Sequence, residues 1–284
     1  MALPALITGV SLMCMEVMNE FGTVMRLNIP CISTGIYENW EYEGNLKSAT
    51  GLSLIALLIV FSLIIFEKFS RRKTKRWSDN PASLDSQGWA LKKHRAFFAI
   101  IVTLFPPTFA IGIPCFWVLL NFDQLNKGLT TELLSLTLKT ISFGLITSLI
   151  AVIFSLILSL ATRKNKNFFL KLITFPAGIG YAIPGSVLAI SLITISSSRF
   201  TFISVCLLIW GYVIRFLTIS KGSIDSALER ISPTLDEAAN GLGSNWFAII
   251  RRIHLPLLKG PIFVGSLLVF VDTIKELPIS FIYR

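Results

Sequence analysis

Residues 137–161 read TLKTISFGLITSLIAVIFSLILSLA, with Lys139 the one charge in a mostly apolar run. A helix needs about 20 mostly apolar residues to cross a bilayer, and this stretch supplies them. Residues 49–66, ATGLSLIALLIVFSLIIF, supply a second set without any charge. Working outward, further apolar runs fall at 4–26, 96–120, 170–196, 201–219 and 259–282. Composition agrees: 53% of residues are hydrophobic and 15% charged, with a mean hydropathy of +0.70. A soluble chain carries about 25% charged residues, so an ordinary soluble enzyme is excluded. The expected fold class is all-α, a polytopic transmembrane helical bundle of about seven spans.

Two runs carry irregularities. Pro106, Pro107 and Pro114 predict a kinked or broken helix in 96–120. The run Gly180-Tyr-Ala-Ile-Pro184-Gly185 interrupts 170–196, and irregular backbone at that depth must be buried in protein or line a cavity. Loop charges orient the spans. Segment 67–95 carries a dense basic cluster that includes Arg71, Arg72, Lys73, Lys75 and Arg76, and 162–169 adds Arg163, Lys164 and Lys166. By contrast, 27–48 sets Lys47 against Glu38, Glu41 and Glu43, and 121–135 sets Lys127 against Asp123 and Glu132. The positive-inside rule then puts 67–95, 162–169, 220–258 and Met1 on the cytoplasmic side, with Arg284 near the outer side. The net charge of +10 is thereby read as orientation and contact with membrane lipid, and nucleic acid is not an expected partner. Scattered Cys14, Cys31, Cys115 and Cys206, with only His94 and His254, indicate no metal centre, and no cofactor is expected. No phosphate-cradling GxxxxGK[ST] loop is present, nor a catalytic Ser/His or HExxH set. The chain is expected not to be an enzyme and not to hydrolyse ATP.

Segment 220–258 is the most informative loop. Ser232 before Pro233 is a helix start, a hydroxyl N-cap followed by proline at the first helical position. Asp236 and Glu237 suit the positive end of that helix. Ala238 and Ala239 leave a smooth face, and Gly243 can end the helix in the left-handed conformation. A second short helix, Trp246 to Ile253, is expected to lead to Pro256 and back into the membrane. The physics admits an interfacial amphipathic helix or a docking element for a soluble partner.

The spacing of Glu237, Ala238, Ala239, Gly243, Ile253, Leu255 and Pro256 resembles the EAA loop of the membrane subunits of binding-protein-dependent ABC importers. The resemblance implies a type I (MetI-like) permease fold. It implies that Asp236 to Gly243 dock on an ABC ATPase dimer, with Ile253 to Pro256 returning into the bilayer. It also implies a periplasmic substrate-binding protein as a partner, and the bacterial inner membrane as the location. Tyr212-Val-Ile-Arg-Phe216, His254-Leu-Pro-Leu-Leu258 and Lys275-Glu-Leu-Pro278, with Asn19-Glu-Phe-Gly-Thr-Val24 and Ser33-Thr-Gly-Ile-Tyr37 upstream, are similar to ferric-iron permeases. Permeases for thiamine, sulfate, molybdate or polyamines share the loop and stay open, as does a non-transporting remnant.

The two chain ends resemble each other at an offset of about 256 residues: Gly9 matches Gly265, Leu12 matches Leu268, Glu16 faces Asp272 and Glu20 matches Glu276. Ferric permeases of this kind resemble fused duplicates. The resemblance therefore divides the chain into the last two helices of a first repeat (1–66), a basic cytoplasmic linker (67–95) and a second repeat lacking its final helix (96–284), an internal window of a longer permease. Glu16 with Glu20, and Asp272 with Glu276, are each spaced to share one helix face. Such deep acids usually face a bundle interior or a watery cavity. Two readings stand: compensation by Lys275 or water, or a translocation path for a hard cation, which carboxylate oxygen suits.

Overall fold

The structure, a computed structural model, describes residues 10, 13–71, 91, 93–122, 131–164, 167–196 and 201–283. The basic cluster Arg72, Lys73, Lys75 and Arg76, the loop charges Asp123, Lys127 and Lys166, the repeat positions Gly9 and Leu12, and the ends Met1 and Arg284 lie outside the described residues. Among the described residues every regular element is helical. In a bilayer this is the economical solution, because a helix satisfies its backbone hydrogen bonds internally.

The elements run α1 (described over 13–19), α2 (Gly22–Arg26), α3 (Ile32–Glu41), α4 (Leu46–Arg71), α5 (Lys93–Leu120), α6 (Thr131–Lys164), α7 (Phe168–Ala177), α8 (Gly185–Ile195), α9 (Thr201–Leu228), α10 (Pro233–Gly241), α11 (Trp246–Lys275) and α12 (Pro278–Ile282). Five are long and apolar enough to cross a membrane: 46–66 within α4, α5, α6, 203–228 within α9, and α11. The pair 168–182 and 185–195, bent by 118°, passes as a sixth, broken span. The expected interruption at Gly180–Gly185 is therefore present, as a 3-10 turn over Gly180–Ala182 followed by the bend. The expected first run, 4–26, lies partly outside the described residues, and its described part breaks at Glu20 and Phe21.

Two compact units form, one of 1–74 with 140–284 and one of 75–139. The second contains α5, one helix through Pro106, Pro107 and Pro114, so of the kinked or broken helix expected there the broken alternative is corrected. Each proline removes an N–H donor, yet without water at that depth the remaining backbone groups gain nothing by leaving the helix.

Within the first unit, α6 packs mostly small residues inside and turns large apolar ones outside. On α6 the buried positions are Gly144, Thr147, Ser148, Ala151, Val152, Ser155, Ser159 and Leu160. Leu145, Leu149, Ile153 and Ile157 point outward. Lipid tails are as apolar as leucine, so helices gain by close approach of small residues, not by hiding large ones. Gly144 sits against Phe270, and Gly265 lies so near Ser220 that a Cβ there would come within 3.3 Å of the Ser220 Cα. These contacts let α11 approach α6 at Gly144 and lie along α9. Ser155 adds a hydrogen bond to the Leu217 carbonyl, 3.3 Å.

The broken span is stitched to α9. The Tyr181 N–H donates to Thr218 Oγ1 (3.3 Å), whose hydroxyl donates to the Ala177 carbonyl (2.9 Å). Gly180 meets the Ile214 carbonyl so closely that any side chain would collide with it. Beyond the bend, α8 buries Val187, Ala189 and Ile190 against Phe21, Ile36, Tyr37, Ala56 and Ile282. The two chain ends thus share one core.

Those ends also share a backbone design. The Glu20 N–H bonds the Val17 carbonyl and the Glu276 N–H bonds the Thr273 carbonyl, so both helices close on a three-residue turn. Phe21 (φ −125°, ψ −45°) and Leu277 (φ −104°, ψ −46°) follow as helix caps. Short helices α2 and α12 come next, with corresponding bonds from Met25 to Phe21 and from Phe281 to Leu277. Both end alike, at Leu27 (φ −89°, ψ 2°) and Tyr283 (φ −83°, ψ 4°). Each feature recurs at the offset read from the sequence.

Candidate functional site

At one end of the first unit, α9 runs on to Leu228, so the connecting segment begins at 229 and not at 220. Ser232 caps α10, its hydroxyl oxygen accepting from the Thr234 N–H at 3.3 Å. The helix ends in a Schellman motif: the Gly243 N–H bonds the Asn240 carbonyl (2.9 Å), and the Ser244 N–H bonds the Ala239 carbonyl (3.0 Å). Gly243 takes φ +81°, a left-handed conformation that a Cβ disfavours. Asn245 then caps Trp246 onward through the Ala248 N–H, 2.8 Å. The expected separate second helix is corrected here. Trp246–Ile249 passes through a π-turn, Ile250–His254, straight into Leu255–Lys275. Pro256 explains the widened turn, since it has no N–H for the Arg252 carbonyl and its ring crowds that oxygen.

The expected docking residues separate by role. Glu237, Ala238 and Gly243 are exposed, and Ala239 is half-buried. Leu235, Leu242 (87% exposed) and Phe247 (71%) stand out beside them. Asp236 turns inward: its Oδ2 accepts from Arg163 Nε at 2.8 Å, and its Oδ1 lies 3.1 Å from Nε2 of fully buried His254. Ile253 is half-buried in the π-turn, and Leu255 and Pro256 are exposed on the helix that leaves it.

At the other end of α11, about 45 Å along the helix at 1.5 Å per residue, the four expected acids come together. Neither pair lies on one unbroken helix, because the helices end at the breaks just described; Glu20 and Glu276 sit beyond them. Glu276 pairs with Arg215 Nη1 at 2.8 Å, both nearly fully buried. Asp272 meets Lys275 Nζ at 2.9 Å. Glu16 accepts from the Tyr181 hydroxyl at 2.8 Å and lies 3.6 Å from Lys275 Nζ. Exposed Glu20 accepts the Thr23 N–H at 2.9 Å. A cavity of about 320 Å³ opens between the two breaks, lined by Glu16, Asn19, Glu20, Tyr181, Arg215 and Glu276 among others. Any Cβ on Gly185 would strike both the Arg215 guanidinium and the Glu276 carboxylate, so the start of α8 can approach this ion pair only as glycine. Three of the four carboxylates thus meet the two cations Arg215 and Lys275, and Glu20 lines the cavity beside them. Among the described residues no His/Cys/Asp/Glu cluster has the form of a metal centre.

Residues 151–280 match the model of the binding-protein-dependent transport system inner membrane component. That segment belongs to this family. It holds α10, the turn at Gly243, α11, Arg215 and the second break. The chain is also 24% identical, over 96% of its length, to the Fe(3+)-transport system permease protein FbpB 2 of Haemophilus influenzae. It spans 56% of the length of that relative. With that match over 151–280 and helices able to cross a membrane, the chain is a membrane protein.

Sequence reading gives no site role to Arg163, Tyr181, Gly185 or Arg215, although Arg163 is read as a loop charge and the other three stand inside the quoted motifs. For Arg215 a signal exists, since a lone cation inside the apolar run 201–219 demands a buried partner. Arg163 gives none, because it reads as one more loop charge.

Proposed function

We propose that this chain is a permease component of an ABC importer, driven by a separate ATPase dimer that docks on 233–245 and supplied by a periplasmic binding protein. The observation that carries the reading is α10 with its Schellman turn. That segment has the family's motif, is held by the inward-turned Asp236 carboxylate and projects Leu235 and Leu242 outward, with Phe247 exposed just beyond it. Exposed apolar groups on a short rigid helix suit a groove on a partner. The location is the bacterial inner membrane, with 229–245 on the cytoplasmic side, as the basic loops require.

The substrate is ferric iron. The Fe(3+) transport for which the Haemophilus influenzae relative is named supports this, as does the cavity's oxygen chemistry, since hard cations favour carboxylate oxygen. Glu16, Glu20, Asp272 and Glu276 line or flank the route. Lys275 and Arg215 weaken the local field, which suits passage, because a conducted ion must also leave. The test is co-purification of the ATPase subunit with the wild-type chain and with the double variant Glu237→Lys, Gly243→Val. The variant should insert normally and retain at least tenfold less ATPase. Equal retention contradicts the reading.

A further inference from the structure

The docking segment stands on α6 by both of its feet. Arg163, in the last turn of α6, donates Nε to Asp236 at 2.8 Å, Nη1 to the Leu228 carbonyl at 2.7 Å and Nη2 to the Ile231 carbonyl at 3.0 Å. One guanidinium therefore closes the end of α9 and holds the first turn of α10. Its neighbour Lys164 lies 5.6 Å from the centre of the Trp246 ring, at the other foot. Trp246 packs on His254 at 5.8 Å between ring centres, and His254 returns to Asp236. The side chains Arg163, Asp236, His254, Trp246 and Lys164 form a closed ring beneath the exposed Leu242 turn. The Arg163 and Asp236 side chains are only 13% and 14% exposed. His254 belongs to the π-turn, an element that recurs at functional sites and marks locally adjustable helix.

We infer that Arg163, with Lys164 and His254, is the joint that carries force from the docking segment into the membrane helices. The inference rests on the docking reading above. These are positioning residues: they touch neither ATPase nor substrate. Because both feet stand on α6 and α11, a push at Leu242 moves those two helices together. An anchor at one foot alone would let the loop tilt and dissipate the push. Arginine is required at 163, since a lysine ammonium cannot serve a carboxylate and two diverging carbonyls in one plane.

The test uses the full chain in lipid nanodiscs, with hydrogen exchange of 233–249 followed by mass spectrometry. Arg163→Gln should speed exchange there about tenfold, and Arg163→Lys should not restore it. Lys164→Gln, which removes only the indole contact, should raise it about threefold. Combining Arg163→Gln with Asp236→Asn should add little to Arg163→Gln alone, because interacting groups are not additive. Unchanged exchange in Arg163→Gln, or full multiplication of the two effects, overturns the joint. A second readout concerns coupling itself. Arg163→Gln should keep the ATPase subunit bound while stimulation of ATP turnover by substrate-loaded binding protein falls at least tenfold; undiminished stimulation overturns it. If the wild-type chain retains no ATPase, the docking reading fails while the exchange results still judge the joint.

Discussion

The breaks at Glu20–Phe21 and Glu276–Leu277 have nearly the same backbone but opposite electrostatic surroundings. Corresponding hydrogen bonds close both helices, and the cap angles agree within about 20°. Yet Glu276 is buried on Arg215, whereas Glu20 is exposed and accepts only a nearby amide among the contacts described. Local sequence writes the turn; the packed neighbours decide what the carboxylate does. At the second break α9 delivers Arg215, and Gly185 gives α8 room to close over the pair.

The comparison can be sharpened in order of effect. Arg215→Gln should cost about 3–5 kcal/mol, because it strands a buried carboxylate, and thermal unfolding in detergent should show a large drop that Arg215→Met with Glu276→Gln largely reverses. Gly185→Val should cost about 2 kcal/mol by overpacking and be visible in the same melt. Glu20→Gln should cost only about 0.5 kcal/mol, the scale of a lost helix cap; a loss equal to that of Arg215→Gln would break the contrast between the twins. Lys275→Met should shift stability by less than about 0.5 kcal/mol, since exposed ion pairs contribute little. In a complete transporter, Glu20→Gln with Glu276→Gln should slow iron uptake severalfold at normal expression, while unchanged uptake would leave these acids structural.

Much of the fold was legible because it depends on local rules. Apolar length marks 49–66 and 137–161, Ser232-Pro233 starts α10, Gly243 ends it, and Gly180–Gly185 interrupts a span. Helix ends near prolines were less legible: Pro256 widens a turn without ending the helix, and α5 runs through three prolines. The acids could be found from their depth and spacing. Lys275 could be named as one partner from its place beside them, and it meets Asp272 and Glu16. The pairings made by Arg215 and Arg163 could not, because Arg215 lies 61 residues from Glu276 and Arg163 lies 73 from Asp236, and only the packed bundle brings such groups together. The paired acids looked like residues of one helix face because spacing alone does not reveal that a helix ends between them.

The central claim, that 233–245 is where an ATPase grips this membrane protein, is tested most directly by a photo-crosslinking residue at Leu242 in the intact chain within its native membrane. The account predicts a crosslink to the ATP-hydrolysing subunit whose yield changes when ATP is added, and no such product from the same probe at Leu149 on the lipid-facing side of α6. A chain that inserts normally but gives no ATPase crosslink at Leu242, or gives it equally at Leu149, would contradict the claim.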